Sequence, residues 1–254
     1  MSNVVNYYEE IYDEDKRLGE ACDNRHKVEK IVKTQILEEL VNKYNVKTIA
    51  DIGAGTGLYS IYFAKKGIKV SAIDIVPKHI EIINKKAIDN NLTLDAFIGD
   101  ALNVNLPSNS FDMVLLAGPL YHIHNIEDKL KALEEAKRIV KDNGIIVVDY
   151  LSDIHGYIQH ILLDNNFLDK EIDFRNIDET FSYDNLERMK AFAIQLSLTF
   201  IDVFGTDGIT RFIREDINKL DEIHLEKWIN FIKFISNKKE IIDLSEHCLC
   251  VFQK

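Results

Sequence analysis

The sequence predicts an α/β fold built on a doubly wound, mostly parallel sheet, on three observations. Short apolar runs alternate with amphipathic segments of helical period between Asn24 and Tyr150, the order of a parallel sheet with crossover helices. The runs are continuously apolar rather than alternating, as strands covered on both faces must be. The first run breaks into D-I-G-A-G-T-G at residues 51–57. Glycines at every second position let the backbone turn tightly and lie against a ligand, and the N–H groups of the helix that follows point over that turn.

The elements follow in order. Val28, Ile31, Val32, Ile36, Leu40, Val41 and Tyr44 fall on one face of a helix opening at Asn24. Strand 1 is Thr48 to Asp51, and a helix starts near Gly57 and ends before Gly67. Strand 2 is Lys69 to Asp74, after which Pro77 suits the first turn of a helix running to about Asn90. Strand 3 is Leu94 to Gly99, ending at Asp100; strand 4 is Phe111 to Ala117, ended by Gly118-Pro119. Ile126, Leu130, Leu133, Ala136 and Val140 trace a helix stopped by Asp142-Asn143-Gly144, and Gly144 to Tyr150 is strand 5. Ile154 to Leu163 and Asn185 to Leu196 read as helices, and Leu198 to Phe204 as strand 6. Two further helical stretches precede His247 to Phe252, a seventh strand apolar on both faces and so internal.

A chain of 254 residues can bury a full core. Its formal charge of -11 argues against a broad nucleic-acid surface, whose affinity comes from lysines and arginines neutralising phosphates. Cys22, Cys248 and Cys250 give no disulfide framework; the last two, two apart in a strand, face one way without bridging. No apolar run nears the roughly 20 residues that span a bilayer, and the acidic N-terminus is unlike a signal peptide, so a cytoplasmic location is expected. His122-x-His124 and His155 with His160 lack a third ligand at useful spacing, so no metal is expected.

The glycine pattern alone is weak. A nicotinamide dehydrogenase wants G-x-G-x-x-G, but the sixth position from Gly53 is Leu58, and the Gly-Lys-Ser/Thr ending of a P-loop is missing. Taken together, D-I-G-A-G-T-G, V-S-A-I-D ending in Asp74, D-A-F-I-G-D ending in Asp100 and F-D-M-V-L-L-A-G-P-L-Y-H-I resemble the class I S-adenosylmethionine-dependent methyltransferases. The resemblance covers roughly residues 28–150 and suggests small-molecule enzymes of the type 11/25 kind. It implies a Rossmann-like, seven-stranded sheet and S-adenosyl-L-methionine as cofactor.

The same resemblance implies the site. The turn Gly53-Ala54-Gly55 passes under the methionine part of the cofactor, Asp74 accepts from both ribose hydroxyls, and Asp100 accepts from the adenine amino group. Each role suits a carboxylate, which only accepts. Ile75 and Ala101 sandwich the adenine ring, with Leu102 helping, and the backbone of Leu116 or Ala117 meets the cofactor's amino group. Asp51 orients the turn or reaches that amino group through water.

Methyl transfer needs alignment first and a base only where the acceptor must lose a proton. Tyr121 and His122, just after strand 4, are the catalytic candidates, and packing residues are the equal alternative. The segment lacks the Asn/Asp-Pro-Pro-Tyr signature of methylases acting on adenine or glutamine. Tyr7, Tyr8, Tyr12 and Arg17 either close over the cofactor, with Arg17 or Tyr8 on its carboxylate, or form an ordinary amphipathic arm. The acidic runs Glu9 to Asp15 and Asp169 to Glu179 read as solvated faces, and the second, if it lined the acceptor cleft, would suit an amine.

The expected organisation is thus an arm or lid over 1–23 and a methyltransferase domain over 24–254, with 151–196 and 206–246 inserted as cover for the acceptor. The expected function is methyl transfer to a small-molecule acceptor, with no nucleic-acid or membrane partner and a homodimer left open. A nicotinamide-dependent oxidoreductase and a catalytically silent cofactor-binding module are the alternatives.

Overall fold

A computed structural model of the protein describes residues 5–8, 17, 19, 21–164, 166–169, 171 and 180–254. Tyr12, the run Glu9 to Asp15 and most of Asp169 to Glu179 lie outside the described residues, as does most of the expected arm.

The strands are β1 (Thr48–Ile52), β2 (Lys69–Asp74), β3 (Asp95–Ile98), β4 (Phe111–Leu116), β5 (Val140–Ser152), β6 (Tyr183–Asp184), β7 (Thr199–Gly205) and β8 (His247–Gln253). They form one sheet in the order β3-β2-β1-β4-β5-β8-β7, with β6 paired to the end of β5. All pairings are parallel except those of β8, which runs antiparallel between β5 and β7. The strand order reverses at β1 and β4, which places a crevice beyond their carboxyl ends. The sheet therefore has eight strands where the sequence predicts seven. The extra one, two residues long, is too short to carry a pattern.

The helices are α1 (Asn24–Lys43), α2 (Leu58–Lys65), α3 (Pro77–Asp89), α4 (Ile126–Ile139), α5 (Asp153–Leu163), α6 (Leu186–Gln195), α7 (Arg214–Ile217) and α8 (Glu222–Ile235). Asp23, Asn125, Ser152, Asn185 and Asp221 cap α1, α4, α5, α6 and α8, each accepting backbone N–H groups that the helix leaves unpaired. Asn143 and Gly144 do not terminate α4. It ends at Ile139 and runs straight into β5, whose first residues shift register against β4.

Each face of the sheet carries its own core. Ala50, Ile52, Val114, Ile146, Val148, Cys248 and Cys250 meet α4 and α6, while Ile49, Met113, Val147, Leu249 and Val251 meet α1, α2 and α8. Cys248 and Cys250 thus share one face as unbridged buried thiols. The segment 206–246 packs α8 against α1, with Leu225, Ile229 and Ile232 in the core that holds Val28, Val32 and Ile36. No described helix is long and apolar enough to cross a membrane.

Candidate active site

A cavity of about 210 Å³ opens at the carboxyl ends of β1, β2 and β4. Its floor is the turn after β1. Gly53 and Gly55 adopt φ of +74° and +54°, the left-handed region that side chains resist. A Cβ at Gly53 would stand 2.5 Å from Pro119 Cδ, so glycine also lets the loop after β4 close onto the turn. The turn is stitched to the end of β2. The N–H groups of Gly53 and Ala54 donate to the Ile73 carbonyl at 2.8 and 3.0 Å, and Gly55 N–H donates to Asp74 Oδ2 at 2.7 Å.

Of the residues singled out in the sequence, Tyr8, Arg17, Asp51, Gly53, Ala54, Gly55, Asp74, Ile75, Asp100, Ala101, Leu102, Ala117, Tyr121 and His122 all line this cavity. Leu116 does not. It lies wholly within the core, and the chain reaches the cavity one residue later, at Ala117. Among the described residues none of 151–196 or 206–246 lines it. The first segment approaches from behind, through Phe181 against Tyr121 and His122, and the second supports α1.

The three acids differ in their surroundings. Asp51 is 1% exposed; Ser60 Oγ donates to its Oδ2 at 2.5 Å, and Oδ1 is buried with no hydrogen-bond partner. Burial, with the nearby charge of Asp74 adding, pushes its carboxyl up to about 6 against the Ser60 bond. Asp74 accepts from Gly55 and Val76 N–H and from His79. Asp100 accepts the Leu102 N–H at 2.9 Å and remains half-buried at the rim.

His122 does not have the titration range expected of a base. Burial drives it down to about 4, with the Thr180 carbonyl and Asp74 opposing, so it is neutral at pH 7. The neutral ring donates from Nδ1 to the Thr180 carbonyl at 3.4 Å and accepts the Tyr8 hydroxyl on Nε2 at 2.9 Å. Tyr8 is thus engaged with His122, and Arg17 is engaged with Glu29 at 2.9 Å and with His247 Nε2 at 2.8 Å.

Sequence reasoning misses the opposite wall. Glu29 and Lys33 on α1 line the cavity as part of a buried charged cluster. Lys33 pairs with Asp149, and His247 Nδ1 donates to Asp149 at 3.2 Å. Burial penalises both charges, yet Asp149 holds Lys33 above the ordinary lysine range, and Arg17, His247 and Lys33 hold Glu29 well below the carboxylate range. Glu29 and Lys33 stand one turn apart in a helix otherwise read for its apolar face, and their partners Asp149 and His247 lie more than a hundred residues away, so spacing carries no signal.

Residues 50–148 match the family model described as "Methyltransferase domain". That stretch is thus similar to methyltransferase domains, and the fold around it is that of the class I methyltransferases. The chain is 27% identical over 112 residues to the demethylmenaquinone methyltransferase of Thermotoga maritima, covering 43% of this chain and 46% of that protein. It is 32% identical over 120 residues to the ubiquinone/menaquinone biosynthesis C-methyltransferase UbiE of Rickettsia massiliae, covering 44% and 47%. The match therefore spans less than half the length of each of these curated relatives. A SAM-dependent methyltransferase structure from Methanosarcina mazei superposes with a TM-score of 0.59 at 16% identity, covering 85% of this chain and 96% of that one. The methyltransferase domain of this family takes S-adenosylmethionine, and the cavity fits it. An acceptor at Asp51 Oδ1 lacks a donor, glycines at 53 and 55 keep side chains off the turn at those positions, and the carboxylates of Asp74 and Asp100 line the same cavity, ready to accept from hydroxyl and amino groups. Among the described residues no group of three His, Cys, Asp or Glu is placed to hold a metal ion.

Proposed function

We propose that the protein transfers a methyl group from S-adenosylmethionine to a small-molecule acceptor. The observation that carries this reading is that Asp51, Asp74 and Asp100, at the ends of three neighbouring strands, line one cavity around the glycine turn. Asp74 accepts from the ribose, Asp100 from the adenine amino group, and Ile75, Ala101 and Leu102 pack on the ring. Asp51 Oδ1 and the Ala117 backbone receive the cofactor's ammonium group, and Lys33 and Arg17 balance its carboxylate. When bound, the cofactor supplies the electrophilic methyl on a sulfonium with a good leaving group. The chain contributes binding, alignment worth on the order of 7 kcal/mol or more, and the handling of the acceptor's proton.

The acceptor end is formed by Tyr8, Tyr121, His122 and Ile123. A histidine held near 4 is a weak base at pH 7. The wall therefore favours an acceptor that attacks through an existing lone pair, an amine nitrogen above all, over an alcohol that must first be deprotonated. The family match ends at residue 148, while Tyr8 lies outside it, on the same wall as Tyr121 and His122.

Calorimetry with S-adenosylhomocysteine and with NAD tests the cofactor, and release of S-adenosylhomocysteine from panels of amines, thiols and alcohols tests the reaction. Asp74→Ala is expected to weaken S-adenosylhomocysteine binding by about 1.5–3 kcal/mol. Binding of NAD alone, or an unchanged Kd in that variant, would overturn the assignment.

A further inference from the structure

His79 lies in the first turn of α3, is 4% exposed and lines the cavity beside Asp74. Its Nδ1 stands 3.1 Å from Asp74 Oδ1. A carboxylate only accepts, so Nδ1 carries the proton and donates, which in the neutral ring leaves a lone pair on Nε2. The same Oδ1 accepts the Val76 N–H at 2.9 Å, and Oδ2 accepts the Gly55 N–H at 2.7 Å. A carboxylate offers roughly four lone-pair positions, so three donors from the chain leave about one, on Oδ2. A ribose brings two neighbouring hydroxyls, and a second acceptor is needed beside the first. The ring of Tyr8 meets His79 edge-on at 5.4 Å, and among the described residues no group bonds to His79 Nε2.

Resting on the methyltransferase reading, we propose that the ribose is read by an Asp74–His79 pair. Asp74 Oδ2 accepts one hydroxyl and His79 Nε2 accepts the other, while the bond between the two side chains sets their spacing. His79 is then both a positioning residue for Asp74 and a direct contact to the nucleoside, in a role that neither the glycine motif nor the strand-ending acids announce.

The test is calorimetry on the full chain with S-adenosylhomocysteine and its 2′-deoxy and 3′-deoxy analogues, using the wild type, His79→Asn and His79→Ala. The amide of His79→Asn replaces Nδ1 and keeps the bond to Asp74 but has nothing at Nε2. Both variants are expected to bind S-adenosylhomocysteine about tenfold more weakly. One deoxy analogue, lacking the hydroxyl that His79 holds, should bind His79→Asn and wild type alike. Unchanged affinity in His79→Asn, or an equal loss for all three ligands, would overturn the proposal while leaving the cofactor assignment standing. Failure of the wild type to bind any of the three would overturn both.

Discussion

Replacing Asp51 with asparagine is expected to make the ligand-free protein more stable while weakening its hold on the cofactor. The carboxyl is 1% exposed, and its Oδ1 has no partner. Its rise from the ordinary carboxylate value near 3.9 to about 6 corresponds to about 3 kcal/mol. The folded state holds this proton more tightly than the unfolded state, so wild-type stability falls as pH rises from about 4 to about 6 and stays reduced above that. The substituted side chain cannot ionise, and its amide oxygen still accepts from Ser60. The gain of Asp51→Asn over wild type should therefore be close to zero at pH 4 and approach about 3 kcal/mol at pH 8. Urea unfolding at several pH values, followed by the fluorescence of Trp228, measures it. An equal stability difference at every pH, or a variant weaker than wild type at pH 8, would refute the assignment of a buried, penalised carboxylate.

Three further expectations follow from the same geometry. Gly53→Ala places a methyl 2.5 Å from Pro119 Cδ at a φ of +74°, so a loss of about 1–3 kcal/mol together with weaker S-adenosylhomocysteine binding is expected; thermal unfolding and calorimetry that matched wild type would contradict it. Lys33→Ala leaves Asp149 buried with only His247 as partner, and a loss of about 3–5 kcal/mol in urea unfolding is expected, where less than about 1 kcal/mol would show the pair to be dispensable. Because His122 sheds its proton near 4, the ratio kcat/KM with an acceptor found in the release assay should show no rise from this residue between pH 5.5 and 8; an inflection near 6.5 that disappears in His122→Gln would restore it as an ordinary base.

The strand-end side of the cavity was legible because it is local. Each acid closes an apolar run, and the glycines sit where a strand must turn into a helix, so residue order alone places Asp51, Asp74 and Asp100 at neighbouring strand ends. What stayed hidden depends on separation or on surroundings. Glu29, Lys33, Asp149 and His247 meet only because α1 crosses the end of a sheet whose last strand is inserted antiparallel beside β5. The titration of His122 is set by how deeply Phe181, Tyr8 and Tyr121 enclose it, and enclosure has no signature at one position. His79 reads as an ordinary polar residue in a helical first turn until the turn is folded against Asp74. The cover elements were found as helices, but which side of the cavity they serve is a matter of tertiary packing.

The placement of β8 bears on how the molecule is made. Strands β1 to β5 can pair as they leave the ribosome, since each lies beside one already synthesised or soon to follow. His247, at the start of β8, must travel back about a hundred residues to reach Asp149 before the wall holding Glu29 and Lys33 is complete. A nascent chain halted before that point would display the glycine turn and the strand-end acids with Arg17 and Lys33 alone facing Glu29 and Asp149, so the finished wall of the cavity is an event that follows translation of this strand.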